Sequence, residues 1–407
     1  MMDILYSCPL DPVKLAAPGY HVINVANELS KQGCNVTLIH QGTTLQDVEV
    51  NRQIPLQLVR RGALSVLWLE IKYAFAINRI LRSRKPGQSV YHRYAKWSFL
   101  PFAVFGLRRS RVILEVNADL DSELISMSRS SVIRRLCLAL EYLQVRRSQQ
   151  VIVVSEGIQK SMGLRYPAFK DKIHVVENGT DIKTFFPRDR DSACESLGLD
   201  PHYQYVTFAG SLQVWQGVET LIAAAARLKQ HSSRVKVLIV GDGVCRTAAE
   251  QEIKSLGLED TVQMPGWQSG EKLAQYLAAS NICVAPYSSL ARLEIDRDES
   301  DNARALLKCS PLKIYTYMAM GKPVISSSFK DAGARLVDWG VGLSFEPDDE
   351  KQLAKKIMEL IEDPKRLEDM GKKASEKILS DHTWRHVVER ILYICAGTDK
   401  DETVYCG

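Results

Sequence analysis

Short apolar runs alternate with amphipathic segments along most of the chain, and no other feature limits the fold as strongly. In the first half, runs with strand character lie at 3–8, 35–40, 54–59, 89–93, 112–117, 150–155 and 173–176. Segments with helical periodicity lie between them, at 21–31, 64–84, 99–107, 131–147 and 156–164. Strands that alternate with helices form a parallel sheet that is covered on both faces. The first half is therefore predicted to be an α/β domain.

The run ENGTDIKTFFP, residues 177–187, interrupts this alternation with an Asn-Gly turn and a proline, and we place the interdomain linker there. A second alternation follows, with strands at 205–209, 235–240, 262–264, 282–286, 323–327 and 342–345 and helices at 218–229, 247–256, 271–278, 312–320 and from 349 onward. The prediction is an α/β fold with two doubly wound Rossmann-like parallel-sheet domains, 1–178 and 179–381, facing a central cleft at their carboxyl strand ends. The helix at about 382–397 is expected to pack back on the first domain.

Composition excludes several other classes of protein. The chain has 407 residues, of which 45% are hydrophobic and 25% charged, as in globular domains rather than disordered or coiled-coil chains. The most apolar stretch, 64–80, contains Glu70, Lys72 and Arg79, so we expect no membrane-spanning helix. The N-terminus lacks the basic and apolar regions of a secretion signal. Nine cysteines without a C-x-x-C pair fit a reducing compartment, so a cytoplasmic location is expected.

Charge is distributed unevenly between the two halves. Residues 1–180 contain 24 Lys and Arg against 14 Asp and Glu, whereas the remainder contains 29 against 34. The cations of the first half cluster at 79–85, 108–111 and 134–147, beside apolar runs. Such clusters are either solvated helix faces or a surface for anionic lipid headgroups at the inner membrane face. Nucleic acid is not expected as a partner, because no stacking aromatics are interleaved with the cations.

Two glycine-rich turns of the second half are suited to an anion. The run FAGSLQVWQG places Gly210 and Ser211 after a buried strand and Gly217 at the start of a helix. Free backbone N–H groups and the positive helix end could there meet a diphosphate. The run VLIVGDG repeats the arrangement at Asp242 and Gly243, although an Asp-Gly pair also forms ordinary turns.

The run SPLKIYTYMAMGKPVIS, residues 310–326, carries the strongest local signal. Ser310 and Pro311 suit the start of a helix and Gly321 suits its end. Lys313 is not explained by these preferences, because a cation in the first turn is repelled by the helix field. An anion bound at this helix start would neutralise both positive charges.

These motifs resemble those of family 4 glycosyltransferases, the retaining group with the GT-B fold. The resemblance rests on the ordered series VENGTDIKTFFP, FAGSLQVWQGVETLIAAAARL, VLIVGDG, VQMPGW, YLAASNICVAPY, SPLKIYTYMAMGKPVIS and GVGLSFEPDD. The first half is similar more loosely, through PGYHVINVANELSKQGCNVTLIH, VYHRYAKWSFLP and LEVNADL. The resemblance implies a hexosyltransferase that moves a sugar from a nucleotide-diphosphate donor, such as a UDP- or GDP-sugar, to a glycan or lipid-linked acceptor in polysaccharide, lipopolysaccharide or glycoconjugate synthesis.

The family's donor site maps onto the second half. The resemblance implies that the donor, including its diphosphate, contacts the Gly-rich turn and the following helix start, at Gly210, Ser211, Gln216, Pro311, Leu312, Lys313 and Thr316. Asp242, Gly243 and Trp267 would flank the nucleoside, with Trp267 stacked on the base or ribose. Trp267 would alternatively be an apolar wedge at a strand end.

The family's remaining site residues map onto the first half. Its first strand-to-helix loop approaches the donor phosphates, which implies Pro18, Gly19 and Tyr20, with His21 opening the helix. The position after the fifth strand, often histidine in the family, is Asn117, which can hydrogen-bond a sugar hydroxyl but cannot act as a base. Asp119 is the nearest ionisable group and would orient an acceptor, unless it only caps a turn. His21, Asn117, Asp119 and Lys313 are therefore the candidate catalytic residues.

The chain also departs from the family pattern. Two glutamates that many members use for the sugar and the ribose are Lys308 and Thr316 here, and the usual Arg and Lys of the Gly-rich turn are Ser211 and Gln216. The acidic stretch 288–308 is either a mobile solvated loop or a source of a carboxylate over the donor. The alternative to an active enzyme is therefore a catalytically impaired scaffold that pairs with an active transferase.

Transfer without a D-x-D metal motif requires backbone N–H groups, a helix start and side-chain cations to stabilise the leaving diphosphate. We accordingly expect no metal and no cofactor, with retention implied by the resemblance alone. A dehydrogenase is disfavoured because G-x-G-x-x-G is absent after the first strand. A sugar-nucleotide epimerase or a phosphorylase of the same fold remains as a further alternative.

Overall fold

A computed structural model describes residues 2–12, 16–56, 64–83, 89–95, 102–105, 108–120, 131–289, 312–329 and 333–396. The described chain divides into two compact units. The N-terminal unit extends to Asn178 and resumes at Trp384, and the C-terminal unit lies between Gly179 and Thr383. None of the described helices combines the length and the apolar character needed to cross a bilayer.

The N-terminal unit is built on a seven-stranded parallel sheet. Its strands are β1 (Asp3–Cys8), β2 (Asn35–Gln41), β3 (Arg52–Leu56), β4 (Ser89–Arg93), β5 (Arg111–Val116), β6 (Gln150–Val153) and β7 (Ile173–Val175), in the order β3-β2-β1-β4-β5-β6-β7. Its helices are α1 (Ala16–Lys31), α2 (Leu64–Arg82), α3 (Ser131–Arg147) and α4 (Glu156–Arg165), followed by a 3₁₀ helix at Pro167–Lys172. Every residue of β1 after Asp3 is buried, as expected for a central strand covered on both faces.

Helix α1 begins five residues earlier than predicted. The predicted apolar face, Val22, Val25, Ala26 and Leu29, is buried as expected. The sequence prediction started the helix at residue 21, whereas the structure starts it at Ala16. Pro18 does not prevent this start, because N–H groups of the first helical turn lack intrahelical acceptors. The prediction that His21 opens the helix was therefore wrong, and His21 lies in the second turn.

The C-terminal unit contains a six-stranded parallel sheet. Its strands are β8 (Gln204–Ala209), β9 (Val235–Val240), β10 (Val262–Gly266), β11 (Ile282–Ala285), β12 (Val324–Ser327) and β13 (Gly342–Phe345), in the order β10-β9-β8-β11-β12-β13. Its helices are α5 (Arg190–Leu197), α6 (Val218–His231), α7 (Arg246–Ser255), α8 (Gly270–Ala279), α9 (Leu312–Ala319), α10 (Arg335–Asp338), α11 (Glu350–Ile361) and α12 (Pro364–Asp381), with a 3₁₀ turn at Val214–Gln216. Both sheets reverse their strand order beside the first strand, so the predicted doubly wound α/β fold is confirmed.

Two further helices, α5 and α13 (Trp384–Ala396), lie near the two points where the chain passes from one unit to the other. Helix α5 was not predicted, although Asp189 caps its first turn through Ser192 N–H and Gly198 ends it in the left-handed conformation. Helix α13 belongs to the N-terminal unit and packs against α1. The Gln32 side chain donates to the Arg385 carbonyl over 3.1 Å across this contact.

Gly217, between the 3₁₀ turn and α6, combines a left-handed backbone with a close contact. Its φ is 66°, and a Cβ atom there would lie 1.8 Å from the Pro286 carbonyl oxygen. Gly257 has a similar φ of 61°, but a Cβ atom there would meet no other part of the protein within 4 Å. A substitution at Gly257 therefore tests the left-handed backbone alone, whereas one at Gly217 tests the same backbone together with a close contact.

We expect Gly257→Ala to lower the free energy of unfolding by about 1 kcal/mol, the cost of a left-handed alanine. Gly217→Ala should lower it by about 3 kcal/mol, because overpacking adds to the same conformational cost. Urea unfolding of the full chain measures both changes. Equal losses for the two variants would contradict the close contact at Gly217.

Candidate functional site

Three predicted donor-binding residues meet at the carboxyl end of β8. Lys313, in the first turn of α9, places its ammonium 4.1 Å from the centroid of the Phe208 ring and 5.4 Å from that of Tyr287. The same ammonium donates to the side-chain oxygen of the buried Gln216. A Cβ atom at Gly210 would lie 2.9 Å from Lys313 Nζ, so a larger residue there would displace the ammonium from its present position. The structure thus brings Gly210, Gln216 and Lys313 together.

Two N–H groups of the Gly-rich turn already donate to backbone carbonyls at the end of β9 and in the turn that follows it. Gly210 N–H donates to the Val240 carbonyl over 3.0 Å, and Leu212 N–H donates to the Asp242 carbonyl over 2.9 Å. The prediction of a free N–H at Gly210 was therefore wrong, because the β8–β9 pairing continues through this residue. Within the described chain, Ser211 N–H lies between these two donors and has no such backbone acceptor. It is the N–H of this turn that is suited to an anion.

Tyr317 links helix α9 to the end of β8 through two hydrogen bonds. Its buried phenol accepts from Ala209 N–H over 2.7 Å and donates to the Ala209 carbonyl over 2.9 Å. Burial raises the pKa of Tyr317 well above its usual value, so the phenol stays protonated and keeps both bonds. The start of α9, with Leu312 and Lys313, is thereby held beside the Gly-rich turn.

Thr316, which replaces a family glutamate, makes local contacts. Its hydroxyl donates to the Leu312 carbonyl over 3.1 Å and lies 3.4 Å from the Thr180 hydroxyl.

Pro311 and Lys308 lie outside the described residues, as does most of the acidic stretch 288–308.

The turns after β9 and β10 carry the residues predicted to flank a nucleoside. The Asp242 carboxylate accepts from Gly243 N–H over 2.7 Å and lies 4.0 Å from the Arg246 guanidinium. Gly243 is packed against the Leu212 carbonyl oxygen, which would lie 2.5 Å from a Cβ atom. Trp267 is 50% exposed, which suits an open stacking surface better than an apolar wedge.

A buried charge cluster occupies the carboxyl end of β5 in the N-terminal unit. Glu115 Oε1 lies 2.6 Å from His21 Nε2 and 2.8 Å from Arg93 Nη1, and the Asn117 amide also donates to it. His21 Nδ1 lies 2.7 Å from Asn178 Oδ1, a residue of the ENG run. The structure therefore brings the predicted His21 and Asn117 together through Glu115, which the sequence analysis did not single out.

The electrostatics of this cluster favour an ionised Glu115. Burial would raise the pKa of this carboxyl, but the charges of His21 and Arg93 and the hydrogen bonds from His21 and Asn117 bring it well below its usual value. Burial also disfavours the charged Arg93, yet the Glu115 charge raises its pKa overall. Glu115 is thus an anion that holds two neighbouring side chains in place. The sequence signal for Glu115 was a lone acid among the apolar residues that follow Arg111 in the strand RVILEV.

Asp119 lies in a different cluster. Its carboxylate is buried and accepts from Arg165 Nη2 over 2.6 Å and from the Ser161 hydroxyl over 2.9 Å. Arg165 also pairs with the buried Glu141 over 2.7 Å. Through these contacts the Asp119 carboxylate takes part in the packing of α3 and α4. They do not place it beside His21.

The first strand-to-helix loop is closely packed. A Cβ atom at Gly19 would lie 1.9 Å from the Pro12 carbonyl oxygen, so this glycine permits the loop to approach α1. The Tyr20 ring meets that of Trp384 edge-on at 6.0 Å. The Pro18 side chain lies outside the described atoms.

Among the described residues, no three His, Cys, Asp or Glu side chains are grouped as metal ligands would be.

Two family models match consecutive parts of the chain. The model described as Glycosyltransferase Family 4 matches residues 19–184, and the model described as Glycosyl transferases group 1 matches residues 189–377.

Curated relatives match over part of their length. D-inositol 3-phosphate glycosyltransferase of Rhodococcus opacus is 29% identical over 255 residues, which are 61% of this chain and 53% of the relative. Alpha-maltose-1-phosphate synthase of Mycolicibacterium smegmatis is 24% identical over 273 residues, 63% of this chain and 65% of the relative. The match to the inositol-phosphate enzymes thus spans about half of their length.

Solved structures of the same fold match over nearly the whole chain. Sucrose-phosphate synthase from Thermosynechococcus elongatus superposes with a TM-score of 0.74 at 21% identity, over 98% of this chain and 99% of that one. Anabaena HepE in complex with UDP gives 0.71 at 17% identity, over 98% and 100%. With both family models matched in sequence and the two parallel sheets in place, the chain belongs to the family 4, group 1 glycosyltransferases and has their GT-B fold.

Proposed function

We propose that this protein moves a sugar, with retention and without a metal, from a nucleotide-diphosphate donor to a glycan or lipid-linked acceptor. The observation that carries the proposal is the position of Lys313, in the first turn of α9 and against the Gly210 turn. Both the lysine and the helix start are positive, and their proximity is favourable when an anion lies between them.

The surroundings of Lys313 suit a departing diphosphate. The Phe208 and Tyr287 rings lie against its ammonium and reduce its contact with water. A charge in such a setting stabilises a developing anion more strongly than a fully hydrated one would. Ser211 N–H supplies a further donor at the same turn, and Gln216 orients the ammonium. These groups together perform the task that a divalent cation has in metal-dependent transferases, which supports transfer without metal or cofactor.

The nucleoside is proposed to lie along the turns after β9 and β10. Trp267 offers an exposed ring, and Asp242 and Gly243 form the adjoining turn. HepE from Anabaena has been solved with UDP and with UDP-glucose, so a uridine donor is the first candidate here and a guanosine donor the second. Retention is proposed on family membership alone.

On the acceptor side, we propose that the Glu115 cluster positions His21 and Asn117. The His21 ring is hydrogen-bonded to Asn178 through Nδ1, and its Nε2 lies 2.6 Å from Glu115 Oε1. Asn117 can hydrogen-bond a sugar hydroxyl with the amide oxygen, since its nitrogen donates to Glu115. Asp119 is left out of this proposal because Arg165 and Ser161 already engage its carboxylate.

The proposal is tested by screening UDP, GDP, ADP and their sugar conjugates for thermal stabilisation, then for release of the free diphosphate with EDTA present. We expect one nucleotide to stabilise the protein and its sugar conjugate to be hydrolysed slowly without metal. Stabilisation without turnover, with every acceptor tried, would favour the scaffold alternative. Turnover that EDTA abolishes would contradict the metal-free mechanism.

Lys313→Met should weaken binding of the diphosphate by about 2 kcal/mol, or about thirtyfold in Kd, because a charge-assisted hydrogen bond is lost. Lys313→Arg should retain part of the affinity. The matched control is Lys365→Met, which removes an exposed cation of α12 and should leave Kd unchanged. Calorimetric titration measures all three. Equal affinities for Lys313→Met and the control would contradict the assigned phosphate site.

Glu115→Gln should destabilise the N-terminal unit by about 3 kcal/mol at neutral pH, because it leaves Arg93 buried without its counter-charge. The folded-state pKa of Glu115 lies below its unfolded value, so this carboxylate stabilises the fold above the unfolded pKa and loses that contribution as pH falls. The stability difference between wild type and variant should therefore shrink below about pH 4.5. Unfolding free energies measured against pH check this, with the exposed Glu376→Gln as control. A difference that is constant with pH would contradict the ionised cluster.

A further inference from the structure

The outer face of α2 carries large apolar side chains and cations in one stripe. Trp68 is 62% exposed and Phe75 is 70% exposed, and they lie two helical turns apart. Lys72, Arg79 and Arg82 continue the same stripe, at spacings of three or four residues, and all are exposed. The stripe is about 21 Å long at 1.5 Å per residue. Hereafter these five residues are called the α2 stripe.

The inner face of α2 shows that this helix is otherwise packed normally. Tyr73, Ile77, Ile80 and Leu81 are buried in the core of the N-terminal unit. Glu70 is the only acidic residue in the sequence of α2, and it is buried as well. The exposed face is thus basic and aromatic and contains no acidic residue. Solvated surface helices usually mix both signs of charge, so this face is unusual for one that meets only water.

Helix α3 repeats the pattern. Val132 is 73% exposed, Leu136 51% and Leu143 44%, and Arg135, Arg146 and Arg147 are exposed among them. Its only acidic residue, Glu141, is buried. Val145 of α3 belongs to the same core cluster as the inner face of α2, so the two helices cover the same side of the sheet. The two basic and apolar faces are therefore presented by one side of the N-terminal unit.

We propose that the α2 stripe, supported by the exposed face of α3, is a docking surface for an anionic lipid bilayer. Cations beside a bilayer are attracted to anionic headgroups, and Trp and Phe insert their rings at the level of the headgroups. A soluble polyanion would satisfy the cations but would offer no apolar phase to Trp68 and Phe75. Charge and exposure together thus favour a membrane over a nucleic acid or an acidic protein.

This surface gives a location for the lipid-linked acceptor proposed above and rests on that proposal only for its use in the reaction. It predicts that the N-terminal unit binds the bilayer whether or not a nucleotide is bound. The donor residues lie in the C-terminal unit, so vesicle binding and nucleotide binding can be lost separately.

The first test is sedimentation of the full chain with vesicles at low salt. Vesicles of equal parts phosphatidylcholine and phosphatidylglycerol should bind the protein, vesicles of phosphatidylcholine alone should bind it much less, and added salt should reduce binding. Equal binding to both kinds of vesicle, or to neither, would overturn the proposal.

Variants then separate the two components of the surface. Lys72→Gln with Arg79→Gln should lower the partition coefficient about twenty-fivefold, at about fivefold for each cation removed. Trp68→Ser with Phe75→Ser should lower it at least about tenfold. The controls are Lys365→Gln with Lys373→Gln and Val337→Ser with Leu379→Ser, which likewise remove two cations or two apolar side chains at exposed positions of the C-terminal unit. Neither control should change vesicle binding.

Loss of binding in the charge variant but not in the aromatic variant would show attraction to a polyanion without insertion, and would overturn a membrane surface. Quenching of tryptophan fluorescence by brominated lipid gives an independent readout, since Trp68→Phe should remove most of it while Trp267→Phe should not. The melting temperature of each variant, and nucleotide binding by the variants of the α2 stripe, show that the fold is retained. A protein that binds vesicles but no nucleotide would contradict the proposed sugar transfer and leave the docking surface standing.

Discussion

The close packing of the first two strand-to-helix turns in the C-terminal unit determines where positive charge can be placed there. A Cβ atom at Gly241 would lie 1.8 Å from the Gly210 carbonyl oxygen, so β8 and β9 can end side by side only with glycine at that position. Tyr317 then holds α9 to the end of β8 through both backbone groups of Ala209. The ammonium of Lys313 lies beside the Gly-rich turn because these contacts hold the start of α9 against the sheet.

The N-terminal unit uses a buried charge for a comparable purpose. Glu115 carries a negative charge in a buried position, and the Arg93 guanidinium 2.8 Å away compensates it, with the His21 ring 2.6 Å from the same oxygen. Such a cluster is costly to assemble, because each ion loses its hydration, and removing one partner leaves the others unpaired. Its benefit is a fixed orientation for His21 and Asn117 at the carboxyl end of the sheet, where doubly wound folds bind their ligands.

The sequence predicted the strands well where both faces are buried. The predicted bounds of β1, β4, β9 and β13 agree with the structure, because a short apolar run between turn residues has few alternative interpretations. The start of α1 and the whole of α5 were missed, although Asp189 and Gly198 carried the signals for the start and end of α5.

The candidate site was only partly predictable. Lys313 could be singled out because it conflicts with the local field of its own helix. The pairing of His21 with Asn178 could not, because these residues are 157 positions apart and no local pattern connects them. The N–H of Gly210 was assigned to a ligand although it continues the sheet, since a sequence does not show where a backbone ladder ends.

The most direct test of the central claim is a crystal structure of the protein with UDP, grown in the presence of EDTA. We predict that the diphosphate lies at the start of α9, within hydrogen-bonding distance of Lys313 Nζ and Ser211 N–H, with the uracil near Trp267. A diphosphate bound elsewhere, or one that binds only when a divalent cation is supplied, would contradict this assignment.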